Sequence, residues 1–370
     1  MPVTFRKATA VDNAGLVALA GACSMRGGLN LCIERGSDFF ALSRLFGDPW
    51  HVFVAADGVT GQVIGCSGLA FRQAYVHAQP REVAYLSDVK VHPDHRGPEL
   101  AAADTLIRNA LDACRAGIGG GGIMFFTIMR GNRHAEKWSP GLRGTPPLVR
   151  FSTVESFSIP LLWARRQDPD HTVTTARAED VGEMIDLWRR LAPQLQFTQA
   201  FDEDSFARWI DGAPNLGISS YRLLRHRNGR LEGFWGLWDQ HPVKQLRVVA
   251  YGREMVVPRL AFNAVARLAG AAPLPPPGGE LRSLSAIHLC APLEDPGVLR
   301  SLILAALREL RGRGYSTLNL SLDAKDPRRI ALLGLFAQPT RVGAYAVCPD
   351  AGYQGPPLDD RPFHHEIALV

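Results

Sequence analysis

The stretch Leu86-Ser87-Asp88-Val89-Lys90-Val91-His92-Pro93-Asp94-His95-Arg96-Gly97-Pro98-Glu99-Leu100-Ala101 decides the fold. Val83 to Val91 reads as a strand and Pro93 to Pro98 as a sharp turn. A helix follows, because Pro98 suits a first helical position and Leu100, Leu106, Ile107 and Leu111 line one face. A strand that turns directly into a helix presents free backbone N–H groups at the positive helix end. That setting suits a diphosphate, and Arg96 adds a cation to it.

Before this stretch lie a strand at Val3–Lys7, a helix with Leu16, Val17, Leu19 and Ala20 behind Asp12, and a hairpin of His51–Ala56 and Val63–Phe71 around Asp57-Gly58. After it, Gly117–Gly122 stops the helix. An apolar strand follows at Ile123–Met129, then a short polar helix at Asn132–Trp138, a strand pair between Leu148 and Trp163, and a polar linker at Arg165–His171. The order then returns: Ala176 and Asp180 stand 168 positions after Ala8 and Asp12, ahead of a helix with Met184, Ile185, Leu187 and Trp188. Strands at Ser219–Arg225, Leu231–Leu237, Ser283–Leu289 and Ser316–Leu322, and a helix at Gly297–Arg311, complete the second half, with an insertion at about 239–281. This pattern predicts an α/β protein of two tandem domains, residues 1–164 and 171–370, each with a mixed, mostly antiparallel sheet flanked by helices.

At Arg96, Gly97 and Ala101, behind a strand carrying Val89 and Val91, the sequence resembles the GNAT superfamily of N-acetyltransferases. The resemblance covers the element order of the whole first half and makes the two units GNAT-like domains. It implies acetyl-CoA as acyl donor, held by Val89, Val91, Arg96, Gly97, Pro98, Glu99, Leu100, Ala101 and Asn132. It further implies direct attack by an amine of a small molecule or a protein, with the Val89 N–H as oxyanion donor. Two residues depart from the motif: Glu99 stands at its middle glycine, and Pro98 has no N–H to donate. In the second half, Asp295 stands where Arg96 does, so the cofactor site is expected to be lost there. The second half is then left to complete the acceptor pocket, stabilise the first domain or mediate assembly.

The family's general base corresponds to Tyr85 and Ser87, neither of which is a good base near neutral pH. Glu82, Asp88 and His92 are the titratable alternatives, although alternation sets Asp88 on the face opposite Tyr85 and Ser87 unless a bulge intervenes. Ser139 falls where the family's tyrosine acid would stand, with the neighbouring Trp138 as its alternative. The acceptor is expected at the loop Ser24–Asn30, with Asn30 and with Arg26 as a bidentate carboxylate holder. Three readings result: an N-acetyltransferase, an acyltransferase using a longer acyl-CoA or acyl carrier protein, and a non-catalytic acyl-CoA or ligand sensor.

Composition agrees with a globular protein: of 370 residues, 46% are hydrophobic and 21% charged, which excludes a disordered or fibrous chain. A net charge of +5 implies no nucleic-acid groove. The start lacks a signal peptide, and no run is long and apolar enough for a membrane span, so a cytoplasmic location without membrane contact is expected. The six cysteines lack a Cys-x-x-Cys pair and read as reduced and mostly buried. His364-His365-Glu366 reads as an exposed terminal strand, its adjacent histidines pointing to opposite faces, and no metal is expected. Homo-oligomerisation is left open.

Overall fold

The structure, a computed structural model, describes residues 2–25, 27–96, 101–132, 135, 146, 148–162, 171–350 and 358–369. In chain order the strands of the first half are β1 (Val3–Lys7), β2 (Ser24–Met25), β3 (Leu29–Arg35), β4 (Trp50–Asp57), β5 (Val63–Val76), β6 (Gln79–Val91), β7 (Ile123–Met129) and β8 (Val149–Pro160). Those of the second are β9 (His171–Thr175), β10 (Tyr221–His226), β11 (Leu231–Trp238), β12 (Lys244–Tyr251), β13 (Ser283–Cys290), β14 (Thr317–Asp323) and β15 (Gln338–Val347). The α-helices are α1 (Asn13–Ala22), α2 (Ala41–Phe46), α3 (Ala101–Ile118), α4 (Val181–Leu191), α5 (Glu203–Gly212), α6 (Val256–Ala269) and α7 (Pro296–Leu310).

Both halves open in the same way. Asp12 accepts from the Thr9 N–H and pairs with Arg6, and Asp180 accepts from the Arg177 N–H and pairs with Arg225. Each carboxylate thereby fixes the turn from first strand into first helix.

Twelve strands form one sheet in the order β1-β4-β5-β6-β7-β15-β8-β14-β13-β11-β10-β9. The halves interlock at its centre. β15, from the second half, pairs with β7, while β8, from the first, pairs with β14, so each half lends its last strand to the other. The predicted strand pair between Leu148 and Trp163 is therefore one long strand whose two neighbours both come from the second half.

Alternation sorts side chains onto two helical layers. β4 sends Val52 and Val54 toward α1, and Phe53 and Ala55 toward α3. In β14 the residues Leu318, Leu320 and Leu322 pack with α7. On the opposite face a core shared by the halves joins Phe46, Tyr85 and Phe125 to Trp188, Phe197 and Phe363. Burial of this apolar surface, at roughly 25 cal/mol per Å², holds the halves together.

The region expected to be an acceptor loop forms a hairpin instead. β2 and β3 pair with each other, and β12 from the insertion pairs with β3, giving a second sheet of order β12-β3-β2. At Gly36 a Cβ would lie 1.9 Å from the Pro242 carbonyl oxygen. Only glycine permits this approach, which brings the ends of β3 and β12 together.

Candidate active site

β6 and β7 run parallel only from Val83↔Ile123 to Tyr85↔Phe125 and then part. Beyond that point the β5–β6 register jumps from Gly68↔Ser87 to Cys66↔Lys90, leaving Asp88 and Val89 opposite a single residue, Ser67. This is a β-bulge, and Asp88 sits in it at φ 49°. Its effect is visible in the core: Ala84 and Leu86 face α3, and two residues beyond the next even position is skipped so that Val89 faces it. Strict alternation therefore breaks where the sequence reading allowed that it could, and Asp88 joins the face opposite α3.

The Asp88 residue is half-buried, although its side chain is only 8% exposed, so its backbone is what remains open. A parted strand pair with an open, bulged backbone fits an extended ligand arm that completes the missing strand pairing. At the end of β6, Arg96 is exposed, donating from Nε to the Val91 carbonyl at 2.8 Å and from Nη2 to Cys23 Sγ at 3.4 Å. Gly97, Pro98, Glu99 and Leu100 lie outside the described residues; Ala101 opens α3. After β7, Asn132 is exposed and its Oδ1 accepts from the Ala135 N–H at 3.3 Å.

The carboxylate of Asp88 is clamped. Arg35 Nη2 donates to both of its oxygens at 2.6 Å, and Lys90 Nζ pairs with it as well. Burial alone would raise the Asp88 pKa, but Arg35 and Lys90 more than offset this and hold it well below the usual carboxylate range. Arg35 comes from the last position of β3, and its register partner across the second sheet is Lys244 of β12. Lys244 Nζ donates to the Ile367 carbonyl at 3.0 Å. Burial, followed by the nearby Arg35, pushes the Lys244 pKa down to about 7, while Asp88 opposes the shift.

Beneath the bulge lies a wall of rings. Tyr85 stacks on Phe46 with centroids 4.0 Å apart and meets Phe125 edge-on at 5.0 Å, and Phe125 stacks on Phe197 at 4.4 Å. Arg72 lies between Phe46 and Phe125, 5.6 Å from each ring, and donates to the Phe197 carbonyl at 3.0 Å. Burial pushes its pKa down to about 10.

The candidates named from sequence fare unevenly. Tyr85 packs among the rings, and burial pushes its phenol up to about 12. Glu82 is exposed and paired in register with Gln73, outside the cluster. Asp88 is in the cluster but is a clamped carboxylate rather than a base. Ser87 is half-buried, close against Gly68. His92 is half-buried and its Nδ1 accepts from the Asp94 N–H at 3.3 Å. Asn30 closes a turn by accepting from the Gly27 N–H at 2.8 Å, five residues along β3 from Arg35 and on the other face. Ser139, Trp138 and Arg26 lie outside the described residues.

His364-His365-Glu366 is neither a strand nor exposed. His364 and His365 are 9% and 8% exposed, and the segment is carried inward by the Gln196–Phe363 bridge and the bond from the His364 N–H to the Gln196 carbonyl. Glu366 meets His364 Nε2 at 2.7 Å and accepts from the His288 N–H at 2.9 Å. His365, whose pKa burial pushes down to about 3, has no hydrogen-bond partner for either ring nitrogen among the described residues, and neither have Nε and Nη1 of Arg35. Among the described residues no three His, Cys, Asp or Glu converge to hold a metal, and no helix is long and apolar enough to cross a membrane. All six cysteines are free thiols, five of them buried.

The second half repeats the bulge and fills it. The β11–β13 register shifts between Phe234 and Gly236, His288 sits at φ 51°, and Leu284, Ala286 and then Leu289 face α7 as Ala84, Leu86 and Val89 face α3. There the side chain is caged by Trp188, Phe201, Phe206 and Trp209, and its Nδ1 bonds the Tyr221 hydroxyl at 2.8 Å. Burial pushes its pKa down to about 4, so it is neutral. Asp295 caps α7 through the Gly297 N–H, supplying the helix end with its own anion.

Each half of the interlocked sheet thus holds a parallel strand pair that parts beside a bulge. The chain has the GNAT fold. With Saccharomyces cerevisiae N-myristoyltransferase, solved with bound myristoyl-CoA and inhibitors, the GNAT architecture here matches at a TM-score of 0.63 and 12% identity, over 98% of this chain and 86% of that one. It matches a GCN5-related glucosamine N-acetyltransferase region of a fungal multi-domain GH3 β-N-acetylglucosaminidase at 0.62 and 12% identity, covering 93% of this chain and 38% of that one. A GCN5-related N-acetyltransferase from Anabaena variabilis matches this GNAT sheet at 0.52 and 11% identity, over 94% of this chain and 73% of its own. No family model matches the sequence, and no curated protein matches it.

Proposed function

We propose that the chain is a CoA-dependent N-acyltransferase that moves an acetyl group to a primary amine, with donor bound between β6 and β7 and acceptor approaching beneath the β12-β3-β2 sheet. The observation that carries this reading is the open bulge at Asp88–Val89 beside the parted strands, present in a GNAT fold. The acyl-CoA donor supplies an activated thioester. In this reading the Val89 N–H, taken out of one-to-one pairing by the bulge, donates to the carbonyl oxygen as charge develops on it. Arg35 and Lys90 hold Asp88, and through it the bulge, in that geometry.

Lys244 is the proton carrier in this proposal, and sequence reasoning had no signal for it. Burial brings its pKa down to about 7, a value suited to moving a proton at neutral pH, and its register partner Arg35 ties it to the bulge. As the amine nitrogen bonds to the carbonyl carbon and the carbon–sulfur bond breaks, Lys244 takes the amine's proton and returns it to the leaving thiolate. The close-packed rings of Phe46, Tyr85, Phe125 and Phe197 favour a short acyl group over a long one. The full-length likeness to a myristoyl-CoA-binding structure favours the second reading, a longer acyl-CoA.

Thiol release from acetyl-, octanoyl- and myristoyl-CoA, measured against a panel of amino acids, peptides and amino sugars, tests both. Turnover with acetyl-CoA alone supports the proposal; turnover with only the long donors selects the second reading. Saturable donor binding without thiol release for any pair contradicts both and leaves the ligand-sensing alternative.

A further inference from the structure

A cavity of about 330 Å³ opens over the middle of the large sheet, lined just past β7 by Arg130, on β15 by Arg341, on β8 by Arg150 and Glu155, and beyond β14 by Arg329. Arg341 and Glu155 face each other in register, and Arg341 Nε donates to Glu155 at 2.9 Å. Arg329 pairs with the other oxygen of the same carboxylate, whose side chain is 2% exposed. Arg130 and Arg150 are exposed and make no ion pair with a described residue. Among the described lining residues four guanidiniums face one carboxylate, an excess of three positive charges.

Such a set of like charges repels itself unless an anion is present, and a guanidinium fork matches phosphoryl oxygens two at a time. The size falls in the range of small-molecule sites, roughly 300–1,000 Å³, and takes a diphosphate-sized group more readily than a lone ion. The location separates it from the donor cleft: β7 borders that cleft through β6 on one edge and pairs with β15 on the other. Glu155 has a positioning part, holding Arg329 and Arg341 with their heads toward the opening. We propose that this cavity binds phosphoryl groups through Arg130, Arg150, Arg329 and Arg341. The inference is independent of acyl transfer.

The test is calorimetric titration of pyrophosphate into the full chain at low ionic strength, for the Arg96→Glu variant and for the same variant carrying Arg130→Glu and Arg150→Glu. The Arg96→Glu background removes the strand-turn cation from the result, and the two further sites are exposed and make no ion pair with a described residue, so an unchanged melting temperature is expected. Saturable binding weakened at least tenfold by the double charge reversal supports the cavity. Repeating the titration on the chain with Arg96 intact and saturating coenzyme A bound separates the sources: binding that persists and still depends on Arg130 and Arg150 means a separate phosphorylated ligand, and lost binding means that the donor's own phosphates reach the cavity. No binding at millimolar pyrophosphate, or equal binding with and without Arg130 and Arg150, overturns the proposal.

Discussion

Replacing Asp88 by Asn isolates the charge that holds the bulge. Asn tolerates a positive φ about as well as Asp, so the backbone at φ 49° is not the variable. What changes is the carboxylate that Arg35, with a side chain 4% exposed, meets with two contacts of 2.6 Å. Removing one member of a buried pair leaves the other uncompensated and costs about 3–5 kcal/mol. Because Lys90 is 20% exposed and can turn to water, the low end, about 3 kcal/mol, is expected. Denaturant unfolding of Asp88→Asn, Arg35→Met and the double variant measures this, with a coupling of about 2 kcal/mol or more expected between directly bonded residues. The pH dependence has a definite sign. The folded Asp88 pKa lies below its unfolded value, so its contribution is fully present above roughly pH 4–5 and fades as pH falls further toward the folded value. The gap between wild type and Asp88→Asn should therefore persist down to about pH 5, with a change near neutrality as Lys244 titrates, and close only in acid. A loss under about 0.5 kcal/mol, or additive single losses, would refute the clamp.

Lys244→Met should lower kcat at least a hundredfold and abolish the limb of the pH–rate profile with an apparent pKa near 7; a profile unchanged by the substitution would remove Lys244 from the proton path. The same depressed pKa means that the unfolded chain binds the extra proton between about pH 7 and the ordinary lysine value near 10.4, so wild-type stability should rise with pH across that window and Lys244→Met should flatten the rise. Tyr85→Phe should keep kcat within about threefold, since the ring and not the phenol is used, whereas Tyr85→Ala should cost about 3–5 kcal/mol of stability by analogy with other large aromatic truncations. Glu366→Gln should loosen the segment Phe363–Leu369, read as faster amide exchange there, at a cost of about 1–3 kcal/mol; unchanged protection would show that the carboxylate does not anchor it.

Much of the fold was legible because the strands of each half carry strong alternating or continuous apolar patterns. Ile123–Met129 was read to the residue, and the repeat of Ala8 and Asp12 at Ala176 and Asp180 marks the same strand-to-helix turn in both halves. β15 was not legible: Pro339 and Gly343 weaken its propensity, and its place between β7 and β8 is set by partners distant in sequence. The glycine-containing run after Cys23 reads as a loop because β2 spans only two residues and the long partner of β3 lies far off in the insertion. His364-His365-Glu366 looked solvent-exposed because nothing local records that His288 and Gln196 would satisfy it.

The same holds at the site. The strand, the turn and Arg96 could be read from periodicity and punctuation, and the bulge was left open by Asp88 interrupting an alternating strand. Arg35 and Lys244 could not be found, since each is an ordinary strand-end cation until the second sheet sets them side by side over Asp88.

The central claim is one acyl-CoA site per chain, in the first half. Calorimetric titration of acetyl-CoA into the wild type and Arg96→Glu tests it most directly. The account predicts saturable binding at a stoichiometry of one, because the second bulge is filled by His288 and its rings, and at least a tenfold loss in Arg96→Glu. No binding at millimolar acetyl-CoA, or two equivalent sites indifferent to Arg96→Glu, would contradict it.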